Sequence, residues 1–419
     1  MHPTLFDASM GGCPCCFIVP PHMLQRLATS GDPSLAETAG RTLQLTQSLV
    51  AFRAQLSTGA PSPTAAKREG RRRQVFDCKG TNDLPGDFVR SETDTTPSRD
   101  KAANEAFDNA GTTWDFYNQI FGRESVDNHG KTLVSSVHYG QKYDNAFWSG
   151  QQMVYGDGDG VIFQRFTAAL DVIAHELTHG VTQFTAQLAY QDQSGALNES
   201  MSDVFGSMVK QWALGQTVDQ ADWLIGAAIM APGFRGRALR DMANPGTAYD
   251  DPRLGKDPQP GHMKDYVQTE ADNGGVHTNS GIPSRAFVLA AKAIGGHSWE
   301  KPGKIWYVTL TERLTGNADF AKCAAETVSV ARDLFPEDSS IAGKVAKAWA
   351  DVGVLEEAPS TALLANIAGA YVIAPRVREV AVVPKPVVKK KKPSSRSTAA
   401  KASKDPRKKK IKSGRSRGR

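Results

Sequence analysis

No uninterrupted apolar run in this 419-residue sequence approaches the roughly 20 residues needed to span a membrane. The first seven residues, Met1 to Asp7, lack a basic region followed by an apolar stretch, so no secretory leader is visible. Cysteine is scarce and odd in number: five in all, with Cys13, Cys15 and Cys16 crowded together. Spacing that tight excludes an ordinary disulfide framework. Reduced thiols are the expectation; a small metal site from this cluster would lack a fourth ligand nearby. A thiolate reaching a metal elsewhere in the fold is the alternative. Acidic residues almost vanish at the end of the chain, where sixteen Lys/Arg face the single Asp405 between Lys385 and Arg419. That tail carries about +15 of a whole-chain charge of +6, which leaves residues 1–384 at −9. It has no aromatic residue to stack on bases, so sequence-specific nucleic-acid recognition is not supported.

What is present fits a soluble protein of two lobes with a shared core: 40% hydrophobic and 22% charged residues. The most informative stretch is His175-Glu176-Leu177-Thr178-His179. Two histidines four apart lie on one helical face, so both imidazoles can reach one zinc ion at about 2.1 Å. A surface helix with two unrelated histidines would show the same string. However, the apolar residues ahead of it (Phe166, Ala169, Leu170, Val172, Ile173 and Ala174) have a helical period and mark a buried helix. Glu176 sits where it can take a proton from a metal-activated water. Glu199, twenty residues after His179, supplies a third ligand from a second helix and leaves a fourth position open for that water. Asp203 shares a face with Glu199, so it can hydrogen-bond one ligand imidazole, and Asn198 can do the same for the other.

At this point the chain resembles the thermolysin family of zinc endopeptidases. Matching strings include Asp144-Asn145-Ala146-Phe147-Trp148, residues 154–160, the zinc motif, Gly195-Ala196-Leu197-Asn198-Glu199, Leu239-Arg240-Asp241-Met242 and residues 272–281. They fall in family order over roughly residues 74–355. The resemblance implies an α+β fold of two lobes, with a β-rich N-terminal lobe, a mostly helical C-terminal lobe and the zinc helix between them. It further implies that His175, His179 and Glu199 bind one zinc ion and that Glu176 is the general base. Tyr190 and His277 would donate to the oxyanion, with Asp272 orienting His277. Asn145 and the backbone of Ala146 would align the peptide, and Arg240 beside Leu239 would hold the carbonyl beyond the scissile bond.

The positions matching the adjoining subsite (Phe163, Phe166, Val172, Ile225, Ile229 and Leu239) are all apolar, which favours a large hydrophobic residue after the cut. One departure concerns calcium. The family's paired site keeps Asp171 and Asp222, but Lys210, Leu224 and Ala227 replace other acidic ligands, so calcium is not expected there. Lys210 is read as replacing the metal charge by pairing with Asp171 or Asp222. The two acids of the Gly-rich run 156–160 do not suffice for a further cation site.

Phe17-Ile18-Val19-Pro20-Pro21-His22-Met23-Leu24 resembles the short propeptide motif of the protealysin-like branch of that family. A helix capped by Asp32, with Pro33 in its first turn, should follow to about Gln55. The stretch 59–66 and the basic run 67–73 then suit proteolytic maturation. The expected organisation is a propeptide and linker over 1–73, a β-rich lobe over 74–165, the zinc helix and helical lobe over 166–355, a linker over 356–384 and a disordered basic tail over 385–419. The partner is a peptide or protein substrate, and a monomer without an integral membrane segment is expected. Secretion follows from the resemblance, with a cytoplasmic location as the alternative. A rival reading is a polyanion-binding protein, tethered by its tail, in which proteolysis is secondary.

Overall fold

Short strands and one helix buried on every side organise the chain. The computed structural model describes residues 16–56 and 68–356, with the backbone alone for residues 50–56. The expectations for Cys13 and Cys15, for the stretch 59–66, for most of the linker 356–384 and for the tail 385–419 lie outside the described residues.

Six short strands form one sheet: β1 (Cys16–Phe17), β2 (Arg73–Asp77), β3 (Asp87–Ser91), β4 (Leu133–Val137), β5 (Ala146–Trp148) and β6 (Met153–Tyr155). Their spatial order is β1-β5-β6-β4-β2-β3. β4 runs parallel to β2 and β6, while β1 and β6 flank β5 antiparallel. Every residue of β5 and β6 is buried, so the edge of β5 can be extended by another strand without exposing core. That added strand is β1, from the N-terminal segment. Two helices follow it, α1 (Pro21–Ala28) and α2 (Pro33–Leu56). Asp32 caps α2 as expected, its Oδ1 accepting from the Ser34 and Leu35 amides at 2.9 and 3.2 Å.

The β-rich lobe also holds a long helix, α3 (Lys101–Phe121), which its expected character did not include. Asp100 caps its first turn and Gly122 closes it in the left-handed conformation at φ 66°. The expected boundary after residue 73 also moves. Arg73 opens β2, pairs with Glu92 at 2.7 Å, lies over the Phe107 ring and is only 6% exposed. A cut that leaves the sheet whole must therefore fall before it.

The middle of the molecule is α4 (Leu170–Gln183), preceded by a short 3-10 turn at Phe166–Ala168. Residues Asp171 to Thr182 of α4 are all buried, the mark of a helix enclosed on every side. The next helix, α5 (Asp192–Leu214), packs against it closely enough that a Cβ on Gly206 would lie 2.6 Å from the Asp171 carbonyl. Any side chain there would push the two helices apart. A small ribbon follows, β7 (Leu224–Ile225) paired with β8 (Arg240–Asp241). The helical lobe is completed by α6 (Asp272–Asn279), α7 (Gly281–Ile294), α8 (Lys301–Val308), α9 (Phe320–Leu334) and α10 (Ser339–Asp351). Among the described residues no helix is long and apolar enough to cross a membrane.

Candidate metal centre and peptide cleft

The helical spacing of α4 turns His175 and His179 toward one point, with their Nε2 atoms 3.0 Å apart. From α5, the Glu199 carboxylate lies 3.5 Å from each of those nitrogens. All three side chains are at most 1% exposed. The far side of each ring is anchored. His175 Nδ1 meets Asp203 Oδ1 at 2.8 Å, and His179 Nδ1 meets Asn198 Oδ1 at 2.9 Å, with Ser202 Oγ at 3.1 Å. Those anchors place the Nδ1 protons outward and leave two Nε2 lone pairs facing each other beside a carboxylate. Such an arrangement is repulsive without a cation between its members, and its three ligand atoms lie within 4.8 Å of one another. Two imidazoles and one carboxylate suit zinc.

The electrostatics point the same way. Burial penalises a charge on His175, but the Asp203 and Glu199 carboxylates outweigh it and raise its pKa. At His179 burial wins, and the pKa falls to about 3. Burial opposes ionisation of Glu199, yet the surrounding histidines hold its pKa well below the usual carboxylate range. Glu199 is thus held ionised and His179 neutral, the states in which a carboxylate and an imidazole can each ligate a cation. Asp203 is fixed in turn by Arg240, whose Nε and Nη2 reach its two oxygens at 2.7 and 2.8 Å.

Glu176 follows His175 on α4 and is fully buried; its Oε2 accepts from the Trp148 amide of β5 at 2.8 Å. On the other side Tyr190 donates a short hydrogen bond to Glu199 and lies 3.3 Å from His277 Nε2. His277 is held by Asp272 through its Nδ1 at 2.7 Å and its backbone amide at 3.0 Å. Burial alone would lower the His277 pKa, but Asp272 and Glu199 raise it to about 9, so both ring nitrogens donate near neutrality. A backbone feature not foreseen from the sequence makes this clamp. Asp272, Asn273, Gly274 and Gly275 all have positive φ, curling the Asp272 carboxylate back onto His277. At Gly274 a Cβ would come within 2.0 Å of Asp192, so glycine is required there.

The cleft between these groups holds the chain's own N-terminal segment. Phe17 O accepts from His277 Nε2 at 2.7 Å, and Ile18 O accepts from Arg240 Nη1 at 3.0 Å. The Ile18 amide donates to Ala146 O at 3.1 Å. Asn145 brackets Val19, accepting from its amide at 2.9 Å and donating to its carbonyl at 3.3 Å. Ile18 is fully buried, and Leu239 lies 2% exposed beside Arg240. The motif at 17–24 was visible in the sequence, but its seat in the cleft was not. Cys16 packs with Tyr190 and Val276 in a small buried cluster.

Two features outside the cleft concern cations. Lys210 Nζ lies 3.0 Å from Asp171 and 2.9 Å from Asp222 and donates to Leu224 O at 2.6 Å, so it pairs with both acids rather than one. In the run 156–160, Asp157 binds His138 Nδ1 at 2.8 Å, while Asp159 Oδ1 accepts from the amides of Val161, Ile162 and Phe163. Both acids are thus engaged within the fold.

A cation-seeking centre on the floor of a groove that grips an extended peptide is the mark of metal-dependent peptide hydrolases. The catalytic domain of thermolysin metallopeptidases matches residues 44–183, and their alpha-helical domain matches residues 186–354. An extracellular metalloprotease from Pectobacterium carotovorum subsp. carotovorum is 53% identical over 344 residues, which is 81% of this chain and 97% of that one. An extracellular minor metalloprotease from Serratia marcescens is 41% identical over 285 residues, covering 68% of this chain and 79% of that one. The solved precursor of protealysin, a metalloproteinase from Serratia proteamaculans, superposes with a TM-score of 0.74 at 51% identity, covering 81% of this chain and all of that one. The chain belongs to the thermolysin family and is a metalloendopeptidase of the zinc class.

Proposed function

We propose that this chain is a secreted zinc endopeptidase made as a self-inhibited proform, cutting internal peptide bonds before a bulky hydrophobic residue. The observation that carries this reading is the meeting of the His175–His179–Glu199 centre with a peptide strand held by Asn145, Ala146, Arg240 and His277. His175, His179 and Glu199 would hold zinc, which when bound polarises a carbonyl and acidifies water. Glu176 takes the proton of the attacking water and passes it to the leaving amine. Protonated His277, held by Asp272, and Tyr190 donate to the carbonyl oxygen as negative charge develops, each such donor contributing about 2.7–4 kcal/mol. Arg240 fixes the next carbonyl, and Asn145 and Ala146 fix the strand register. Asp203 and Asn198 hold the ligand imidazoles in the tautomer that presents Nε2.

Hydrophobic preference follows from the apolar character of Phe163, Phe166, Val172, Ile225, Ile229 and Leu239, the positions the family resemblance gives to the subsite, all at most 2% exposed, and from the full burial of Ile18. Inhibition follows from residues 16–19 filling the same contacts a substrate needs. Secretion is favoured by the relatives named extracellular. Calcium is not required near α4, because the Lys210 ammonium already satisfies Asp171 and Asp222. The charge of the basic tail supports a secondary role as a nonspecific polyanion tether. Metal analysis together with cleavage of an internally quenched peptide tests the main reading. One zinc per chain and activity lost to a chelator and restored by zinc are expected; chelator-resistant cleavage would overturn it.

A further inference from the structure

The pro-segment does more than cover the cleft, because its contacts define a register. An antiparallel strand beside β5 places Cys16 opposite Trp148 and Phe17 opposite Phe147. The oxygen facing the oxyanion donor His277 is that of Phe17, at 2.7 Å, and His277 Nε2 is itself 3.6 Å from Glu199. The carbonyl one residue on, that of Ile18, is the one gripped by Arg240, and the side chain between them is fully buried. The contacts assigned above to His277, Ala146, Arg240 and Asn145 are therefore all met by this segment, in one direction and without a slip, while Tyr190 donates to Glu199. The bond at the reacting position is Phe17–Ile18.

We infer that the enzyme cuts its own pro-segment between Phe17 and Ile18, an inference that rests on the proform reading above. Water adds its oxygen to the Phe17 carbonyl carbon, the bond to the Ile18 nitrogen breaks, and a proton reaches that nitrogen through Glu176. The products are a Phe17 carboxylate and an Ile18 amine; no other reactant is needed.

Release does not follow at once, because the new N-terminal segment remains anchored. Met23, Leu24 and Leu27 of α1 are at most 1% exposed, and His22 bonds Tyr249 at 3.0 Å. Ile18 also keeps its bonds to Ala146 and Arg240. The nicked chain should therefore stay inhibited until the connection between α2 and β2 is also cut. Activation then has two steps, and the first is intramolecular.

The test is a time course on purified, zinc-loaded full-length protein, followed by intact mass and N-terminal sequencing, with peptide hydrolysis measured in parallel. A new N-terminus at Ile18 should appear with a rate independent of protein concentration, before peptide hydrolysis rises. Glu176→Gln should abolish it. Ile18→Leu should keep it, while Ile18→Asp should slow it about 100-fold, since a hydrophobic pocket selects on that scale. An inhibited chain that matures by cuts elsewhere while Phe17–Ile18 stays intact would overturn this inference and leave the proform reading standing. Full peptide hydrolysis by a chain with residues 1–73 uncut would overturn both.

Discussion

Replacing Lys210 with alanine should destabilise the enzyme and uncover a need for an added cation. The ammonium is surrounded by three oxygens: Asp171 at 3.0 Å, Asp222 at 2.9 Å and the Leu224 carbonyl at 2.6 Å. Burial disfavours the charge on Lys210, yet the two aspartates outweigh it and raise its pKa, so the side chain is charged throughout the neutral range. The two pairs are not equal. Asp171 has a side chain 4% exposed, whereas that of Asp222 is 49% exposed. Losing one member of a buried pair costs about 3–5 kcal/mol, while an exposed pair contributes at most about 1 kcal/mol and is screened by salt. Only the Asp171 pairing counts near full weight, and its partner reaches the surface, so a loss of about 3 kcal/mol is expected. For a chain of this size that lowers Tm by about 3–4 °C. Lys210→Glu adds a third carboxylate in place of the ammonium and creates an oxygen cluster suited to calcium. Differential scanning fluorimetry with and without millimolar calcium reads both effects. Calcium should recover several degrees for Lys210→Glu and leave the parent chain nearly unchanged. A Lys210→Ala Tm within about 1 °C of the parent, or a parent raised more than about 5 °C by calcium, would refute the reasoning.

Three further outcomes follow from the same structure. Asp203→Asn should weaken zinc binding about 10–100-fold in a chelator competition, because the amide can no longer fix His175 while also neutralising Arg240; unchanged affinity would remove Asp203 from the zinc account. Asp144 is 1% exposed, no side-chain donor meets its carboxylate among the described residues, and burial lifts its pKa well above the ordinary 3.8. The folded state therefore holds that proton more tightly than the unfolded one, so stability falls as pH rises past about 4. Asp144→Asn should raise Tm at pH 7 and lose its advantage on acidification, and a pH-independent difference would contradict this. Deleting residues 385–419 should shorten retention on heparin across a salt gradient without changing cleavage of a small uncharged peptide, and equal retention would dismiss the tether.

The zinc centre was legible because its geometry is local. Four-residue spacing on a helix sets His175 against His179, and the same spacing on the next helix sets Glu199 against Asp203. The two-lobed architecture was legible through long strings in family order. What escaped depends on contacts distant in sequence. Nothing in Cys16–Phe17 identifies a strand, since two residues carry no period, and its partner β5 lies more than a hundred positions away. The helix α3 carries its signals locally, an Asp100 cap and buried Ala102, Ala103, Ala106 and Phe107 at helical spacing, within a lobe whose strands are brought together only by the fold. Asn273, Gly274 and Gly275 announced a tight turn, but only the fold shows that it aims Asp272 at His277. The basic run ending at Arg73 read as a soft linker because charge alone cannot reveal that Glu92 and Phe107 wait for it.

The central claim is that Glu176 drives hydrolysis at a zinc centre built from His175, His179 and Glu199. The most direct measurement is the turnover of Glu176→Gln, matured alongside the parent by an added protease, with zinc content and Tm determined on the same sample. The amide keeps the shape of the side chain and can still face the Trp148 amide through its oxygen, but it cannot accept a proton from water. The account predicts one zinc per chain, an unchanged Tm and turnover below about a hundredth of the parent. A folded, zinc-loaded variant retaining more than that would contradict it.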